Sequence, residues 1–138
     1  MAKTIRDLMT DKPCAIDAEK DVAYAAKMLR DEDVGLAPIV EGQKLIGTLT
    51  DRDIAIRVVA EGKDPQSTKV RDVMTSRLVT IDPQQGLEEA LRLMAQNQVR
   101  RLPVVEEDGK LAGVVAQADV ARHASESQTG EVVEKISR

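Results

Sequence analysis

The stretch Ile5-Arg6-Asp7-Leu8-Met9-Thr10 returns as Val70-Arg71-Asp72-Val73-Met74-Thr75. At the same displacement Ile16-Asp17 falls on Ile81-Asp82, Val34 on Val99, and Pro38-Ile39-Val40-Glu41 on Pro103-Val104-Val105-Glu106. One extra residue enters the second copy near Glu107-Asp108. Beyond it Lys44-Leu45-Ile46-Gly47 meets Lys110-Leu111-Ala112-Gly113, and Asp53-Ile54-Ala55 meets Asp119-Val120-Ala121. Matches in one order along the whole unit identify an internal duplication, and that decides the fold before any single element is assigned. The expected organisation is a first repeat over 1–66, a second over 67–124 and a polar tail over 125–138. The joint Gly62-Lys63-Asp64-Pro65-Gln66-Ser67 has the Gly, Pro and polar content of a linker.

Both copies read alike. A short strand is expected at Cys14–Ile16 and at Val79–Ile81. An amphipathic helix follows, because Val22, Ala25, Ala26 and Leu29 recur at i, i+3, i+4 and i+7, as do Leu87, Ala90, Leu91 and Met94. Asp21 is a candidate N-cap for the first. Two apolar strands come next, Leu36–Val40 with Leu45–Leu49 and Leu102–Val105 with Leu111–Val115, joined by turn signals at Gly42 and Asp108-Gly109. A second helix closes each unit, from Asp51 to Ala60 and from Gln117 to Ala124. The fold class is therefore α/β (α+β), two β-α-β-β-α repeats. One repeat is too small to close a core comfortably. Leu36, Ile39, Leu49 and Val104 need covering, which sheet-to-sheet packing of the copies about a pseudo-two-fold axis would provide.

Composition narrows the function. Among 138 residues there is no Phe, no Trp and one Tyr, Tyr24, while hydrophobic residues still make 42%. The aromatic platforms on which single-stranded nucleic acid stacks are missing, and so are the walls of a quaternary-ammonium cage. The net charge of -4 supplies no basic field for DNA or RNA. No segment approaches the about 20 apolar residues of a membrane span, and the N-terminus has no apolar signal core, so a cytoplasmic protein is expected. Cys14, the one cysteine, sits in an apolar run and reads as a buried, inert thiol. His123, the one histidine, stands alone near the end of a helix. With no nucleophile elbow, P-loop or Cys/His spacing, neither an enzyme nor a metal site is expected.

The duplicated order resembles a tandem pair of CBS domains, a Bateman module, over about residues 4–124. The resemblance rests on Arg-Asp-[Leu/Val]-Met-Thr opening each copy, on Pro38-Ile39-Val40 and Pro103-Val104-Val105, and on Gly47-Thr48-Leu49-Thr50-Asp51-Arg52-Asp53. The stand-alone form is similar to small bacterial CBS-pair proteins, including those linked to hypoxic or stress responses. The resemblance implies regulatory sensing of adenosine nucleotides (AMP, ADP or ATP), with action on a separate, unidentified effector protein and no required cofactor. It also implies a homodimer, for which Ile54, Val58 and Val59 are left as a partner face. The alternative it leaves open is a CBS-pair interaction module that has lost its ligand.

The family's ribose and phosphate signature, Gly-h-x-[Ser/Thr]-x-x-Asp with h apolar, matches Gly47, Thr50 and Asp53. The second copy keeps Asp119 but has Ala116 in place of the hydroxyl, which puts its site in doubt. The residue types suit that chemistry. A carboxylate offers two coplanar acceptors to a vicinal diol, and a hydroxyl at a helix start can donate to phosphate beside free N–H groups. The same Thr-x-x-Asp spacing also fits a capping box with no ligand at all, and the two roles can coexist. Arg101, two places before Pro103, holds the position from which family members reach phosphate, and Arg100 adjoins it; a surface pair of arginines is the other reading. Adenine would need aliphatic walls, for which Ile16, Val34, Pro38 and Ile39 are candidates in one copy. Thr80, Ile81, Val99, Pro103 and Val104 are the candidates in the other, though each taken singly also suits a core.

Overall fold

The structure is a computed structural model, and it describes residues 3–11 and 14–126. The elements in chain order are α1 (Ile5–Leu8), β1 (Ile16–Asp17), α2 (Val22–Glu32), β2 (Leu36–Glu41), β3 (Lys44–Thr50) and α3 (Asp51–Ile54), which continues as a π-helix over Ala55–Val59. A 3-10 turn at Val70–Asp72 precedes α4 (Leu87–Asn97), β4 (Arg101–Val105), β5 (Leu111–Ala116) and α5 (Gln117–Glu126). The expected strand at Val79–Ile81 is reduced to a single parallel bridge between Ile81 and Val104. Of the expected polar tail, residues 127–138 lie outside the described residues.

Two compact units form, and they do not follow the repeat boundaries. One is continuous and comprises the described residues 14–78; the other combines residues 3–11 with 79–126. Each repeat has given its opening segment to the unit built mainly by the other. The alternative expected from the sequence, that Gly62–Thr68 separates the units, places the break one segment too early. The Val70–Thr75 stretch that opens the second repeat packs with the first.

The continuous unit holds a sheet of order β1-β2-β3, with β1 parallel and β3 antiparallel to β2. Its core joins Val22, Ala25 and Leu29 of α2 to Ile39 and Leu49 of the sheet, to Val58, and to Val70 and Val73. Ala26, expected on the apolar stripe, is exposed. Ile39 and Leu49 do need covering by the other repeat, and Val70 and Val73 from its opening segment share their core. Burial of a valine side chain stabilises by about 1.5–3 kcal/mol, so these two anchor the segment. Charge completes the seam. Arg71 bonds Glu19 at 2.7 Å and also Glu41, and Lys69 bonds Glu19 at 2.7 Å. Lys69 and then Arg71, donating to Glu19, hold its carboxyl below the usual range. These pairs are solvent-exposed and add little beside the valines.

The second unit repeats the plan around β4 and β5. Ile5 and Leu8 from the opening segment join Ala90, Leu91 and Met94 of α4 with Leu102, Val104 and Val115 of the strands. One ion pair, Arg6 to Glu106 at 2.9 Å, stands where the first unit has a cluster. Asp21 caps α2 as expected, accepting from the Tyr24 N–H at 2.7 Å. Both long helices end on a left-handed residue, Asp33 and Gln98, each with φ 54°. Asp33 is a charge that the helix dipole disfavours at a C-terminus, but Asp is among the few non-glycine residues that enter the left-handed region readily.

Because the continuous unit takes its core from within residues 14–78, a fragment spanning 13–78 is expected to melt cooperatively by circular dichroism. A fragment of residues 1–66, which lacks Val70 and Val73, is expected to show no cooperative transition. Equal melting of the two would show that the repeat boundary, not the exchanged one, delimits the folding unit.

Candidate functional site

At the start of α3 the chain leaves β3 with Thr50 extended, φ -114° and ψ 163°, and turns into a helix. The capping reading of Thr50-x-x-Asp53 is realised in full. The Asp53 N–H donates to Thr50 Oγ1 at 3.0 Å, and the Thr50 N–H donates to Asp53 Oδ2 at 3.0 Å. Two further groups, not expected from the sequence, complete the site. The Thr75 hydroxyl lies 3.3 Å from both Asp53 carboxylate oxygens. Arg57 Nε stands 4.0 Å from Asp53 Oδ1, while its Nη1 donates to the Val73 and Met74 carbonyls at 3.1 and 2.9 Å. The Asp53 side chain keeps 13% of its surface open.

Thr75 reaches this carboxylate because its backbone pairs with β3. The Thr48 N–H donates to the Thr75 carbonyl at 2.9 Å, and the Thr75 N–H returns to Thr48 at 2.8 Å. Gly47 permits the approach. A Cβ there would stand 2.6 Å from Met74 Sδ and 2.9 Å from the Thr75 carbonyl oxygen, closer than real contacts allow. The conserved chemistry of the second unit is the same at the backbone. Thr10 pairs with Val114 at 2.8 and 3.1 Å, and a Cβ on Gly113 would lie 2.5 Å from the Thr10 carbonyl oxygen. The signal for Thr75 in the sequence is the Met-Thr that closes the opening segment of both copies, Met9-Thr10 and Met74-Thr75.

The side chains of the second unit differ. Ala116 precedes α5 and offers no oxygen to cap it. Asp119, with 36% of its side chain exposed, pairs with Arg122 at 3.2 Å. Arg101 is the register partner of Ala116, so the two side chains share a face of the sheet, and the Arg100 carbonyl accepts the Gln117 N–H at 2.7 Å. Arg100, Arg101 and Asp119 thus lie at one helix start, and Thr50 and Asp53 at the other. Of the aliphatic candidates, Ile16, Ile39, Ile81 and Val104 are core residues, and Pro38 and Pro103 are buried. Val34, Thr80 and Val99 keep partial exposure. Cys14 is half-buried just before β1, not within a strand. Among the described residues no three His, Cys, Asp or Glu side chains gather as a metal site, and no helix is long and apolar enough to cross a membrane.

Exchanged opening segments, paired repeats and these two helix starts define a CBS pair. The CBS domain model matches residues 5–60 and 70–126, and the chain belongs to the CBS-domain family as a tandem pair. It is 40% identical over 135 residues to the CBS domain-containing protein YhcV of Bacillus subtilis, covering 97% of this chain and 95% of that one. To hypoxic response protein 1 of Mycobacterium tuberculosis it is 34% identical over 134 residues, covering 96% and 93%. Neither relative is named for a reaction. The crystal structure of hypoxic response protein I, with two coordinated zinc ions, superposes with TM-score 0.80 at 35% identity over 88% of this chain and 98% of that one. CBSX2, from Arabidopsis thaliana, in complex with AMP, superposes with TM-score 0.78 at 26% identity over 91% and 98%.

The unequal helix starts set a measurable expectation. Replacing a capping Ser or Thr by Ala costs typically about 1 kcal/mol, so Ala116→Thr is expected to stabilise the chain by about that much in urea unfolding, and Thr50→Ala to destabilise it comparably or more. No gain from Ala116→Thr would mean that α5 has its first N–H groups satisfied by other means.

Proposed function

We propose that the chain is a regulatory sensor of adenosine nucleotides, AMP, ADP or ATP, acting in the cytoplasm on a separate effector protein through a ligand-dependent conformational change. The observation that carries this reading is the Asp53 carboxylate. It is fixed at a helix start by Thr50 and Thr75, yet its side chain stays partly exposed, in a family where the related CBSX2 binds AMP. A carboxylate has about four acceptor positions, and the Thr50 N–H and Thr75 hydroxyl occupy only part of them. The rest suit the ribose diol. Thr50 and the first N–H groups of α3 suit phosphate, and in the other unit Arg101 and Arg100 do so beside Asp119. Val34, Val99 and Thr80, still partly exposed, are the positions from which adenine would be flanked.

The second reading, an interaction module without ligand, is supported by the same geometry, because the Thr50–Asp53 box is complete as a cap. Calorimetry with AMP, ADP, ATP and S-adenosylmethionine separates the two. Binding tighter than about 1 mM that is lost in Asp53→Ala is expected for at least one nucleotide. A hundredfold excess over the dissociation constant should then raise stability by about 2.7 kcal/mol, seen as a melting shift. No binding by any of the four leaves the interaction module.

A homodimer belongs to the same proposal, with a revised face. Val58 is fully buried and is not left for a partner, and Ile54 is partly buried against the core. Ile56 and Val59, on the π-helical turn, are 47% and 71% exposed and form the apolar surface available there. Light scattering at micromolar concentration is expected to give twice the chain mass, and Val59→Glu to reduce it; a monomer in both would remove this part of the reading.

A further inference from the structure

We propose that Thr75 is a positioning residue of the Asp53 site, setting the plane of the carboxylate so that its open edge meets a vicinal diol; this rests on the nucleotide reading above. The terminal torsion of an aspartate is broad and nearly two-fold, so an Asp side chain held by one bond can swing. Here Oδ2 is held from one side by the Thr50 N–H at 3.0 Å. The Thr75 hydroxyl stands opposite both oxygens at the same 3.3 Å. Two donors arriving from different segments leave the carboxylate one plane.

The hydroxyl is not needed to anchor its own segment. Val70 and Val73 are buried, Thr75 pairs with Thr48 through the backbone, and Arg57 grips the Val73 and Met74 carbonyls. A contact of 3.3 Å adds little to that. Its consequence therefore falls on the carboxylate. The other unit supplies the comparison. Thr10 occupies the equivalent bridge, paired with Val114, but among the described residues its hydroxyl makes no hydrogen bond to Asp119. Segment exchange alone does not bring the two groups together. Asp119 is correspondingly the more open carboxylate, 36% exposed against 13% for Asp53. The structure thus distinguishes a carboxylate held across two segments, Asp53, from one paired only within its own helix, Asp119.

The test uses the full chain, AMP, and dideoxy-AMP, which lacks both ribose hydroxyls. Thr75→Val keeps the shape and removes the hydroxyl, and Thr75→Ser keeps the hydroxyl. The unaltered chain is expected to prefer AMP to dideoxy-AMP. Thr75→Val should weaken AMP about tenfold, the scale of one hydrogen bond to a charged group, while leaving dideoxy-AMP unchanged, and Thr75→Ser should restore the preference. If the unaltered chain binds AMP and Thr75→Val keeps the full preference, the positioning role is overturned while the nucleotide reading stands. An equal loss for both nucleotides with a lowered melting temperature also overturns it, by making Thr75 structural. Where ADP or ATP binds and AMP does not, the same comparison is made with that nucleotide and its dideoxy form, and failure of the unaltered chain to bind any of the three removes both.

Discussion

Over Gly47 two backbone segments approach so closely that a single added carbon would sit 2.6 Å from Met74 Sδ. That approach lets Thr48 and Thr75 exchange N–H to carbonyl bonds at 2.9 and 2.8 Å. The equivalent pair, Thr10 with Val114 over Gly113, does the same in the other unit. Much else follows from these contacts. They seat the opening segment of one repeat against the last strand of the other. They bring Val70 and Val73, or Ile5 and Leu8, into a core that lacks large aromatic side chains. They also decide which hydroxyl faces the helix start that follows the strand.

Seen this way, the glycine of the family signature has a steric task before any task at a ligand. An alanine would require the paired backbone itself to move, because the obstructing atoms include the Thr75 and Thr10 carbonyl oxygens and not only flexible methionine ends. The methionines serve the same seam. Unbranched and polarizable, Met74 and Met9 lie over the bare glycines and fill what a Cβ would have filled. A chain with no Phe or Trp, whose one Tyr is exposed, depends on such fitting, since it has no buried aromatic side chain with which to close a gap.

The fold was largely legible in the sequence because duplication is read by order, not by propensity. Helices α2 and α4 and the two hairpins lie where their apolar spacing put them. The exchange of opening segments was not legible. A segment as short as Val70–Thr75 has the same pattern whichever unit receives it, and the joint at Gly62-Lys63-Asp64-Pro65 looked like a boundary because its composition is that of a turn. The strand at Val79–Ile81 fell short for a related reason. Three β-branched residues, Val79, Thr80 and Ile81, set a preference for extension, but the number of ladder bonds depends on a neighbour that the local sequence does not specify. At the site, Thr50 and Asp53 could be read from spacing alone. Thr75 could not, since its contact with Asp53 crosses from one repeat to the other.

The same spacing also shows how far a motif carries. Thr4-x-x-Asp7 repeats the residue types of Thr50-x-x-Asp53, and there too the Thr N–H donates to the carboxylate, at 3.0 Å. That bond is the main reason the Asp7 carboxyl lies below its usual range. Yet Asp7 is exposed and its box serves a helix of one turn; the 83–86 segment pairs with Thr4, Ile5 and Arg6 through the backbone only. Capping chemistry is therefore common to both, and what separates them is the origin of the hydroxyl: at Asp7 it is that of Thr4, in the same box, at 3.2 Å, and at Asp53 it is that of Thr75, from another segment. At Asp53 a hydroxyl from the other repeat meets a carboxylate already bound by its own helix, and the side chain keeps 13% of its surface exposed. A helix cap by itself asks only that orphan N–H groups find an oxygen. A recognition site asks in addition that the oxygen keep one orientation when nothing is bound. A donor from a second segment is the kind of contact that imposes it; Asp53 has one, whereas the donors to Asp7 and Asp119 come only from their own helices and caps.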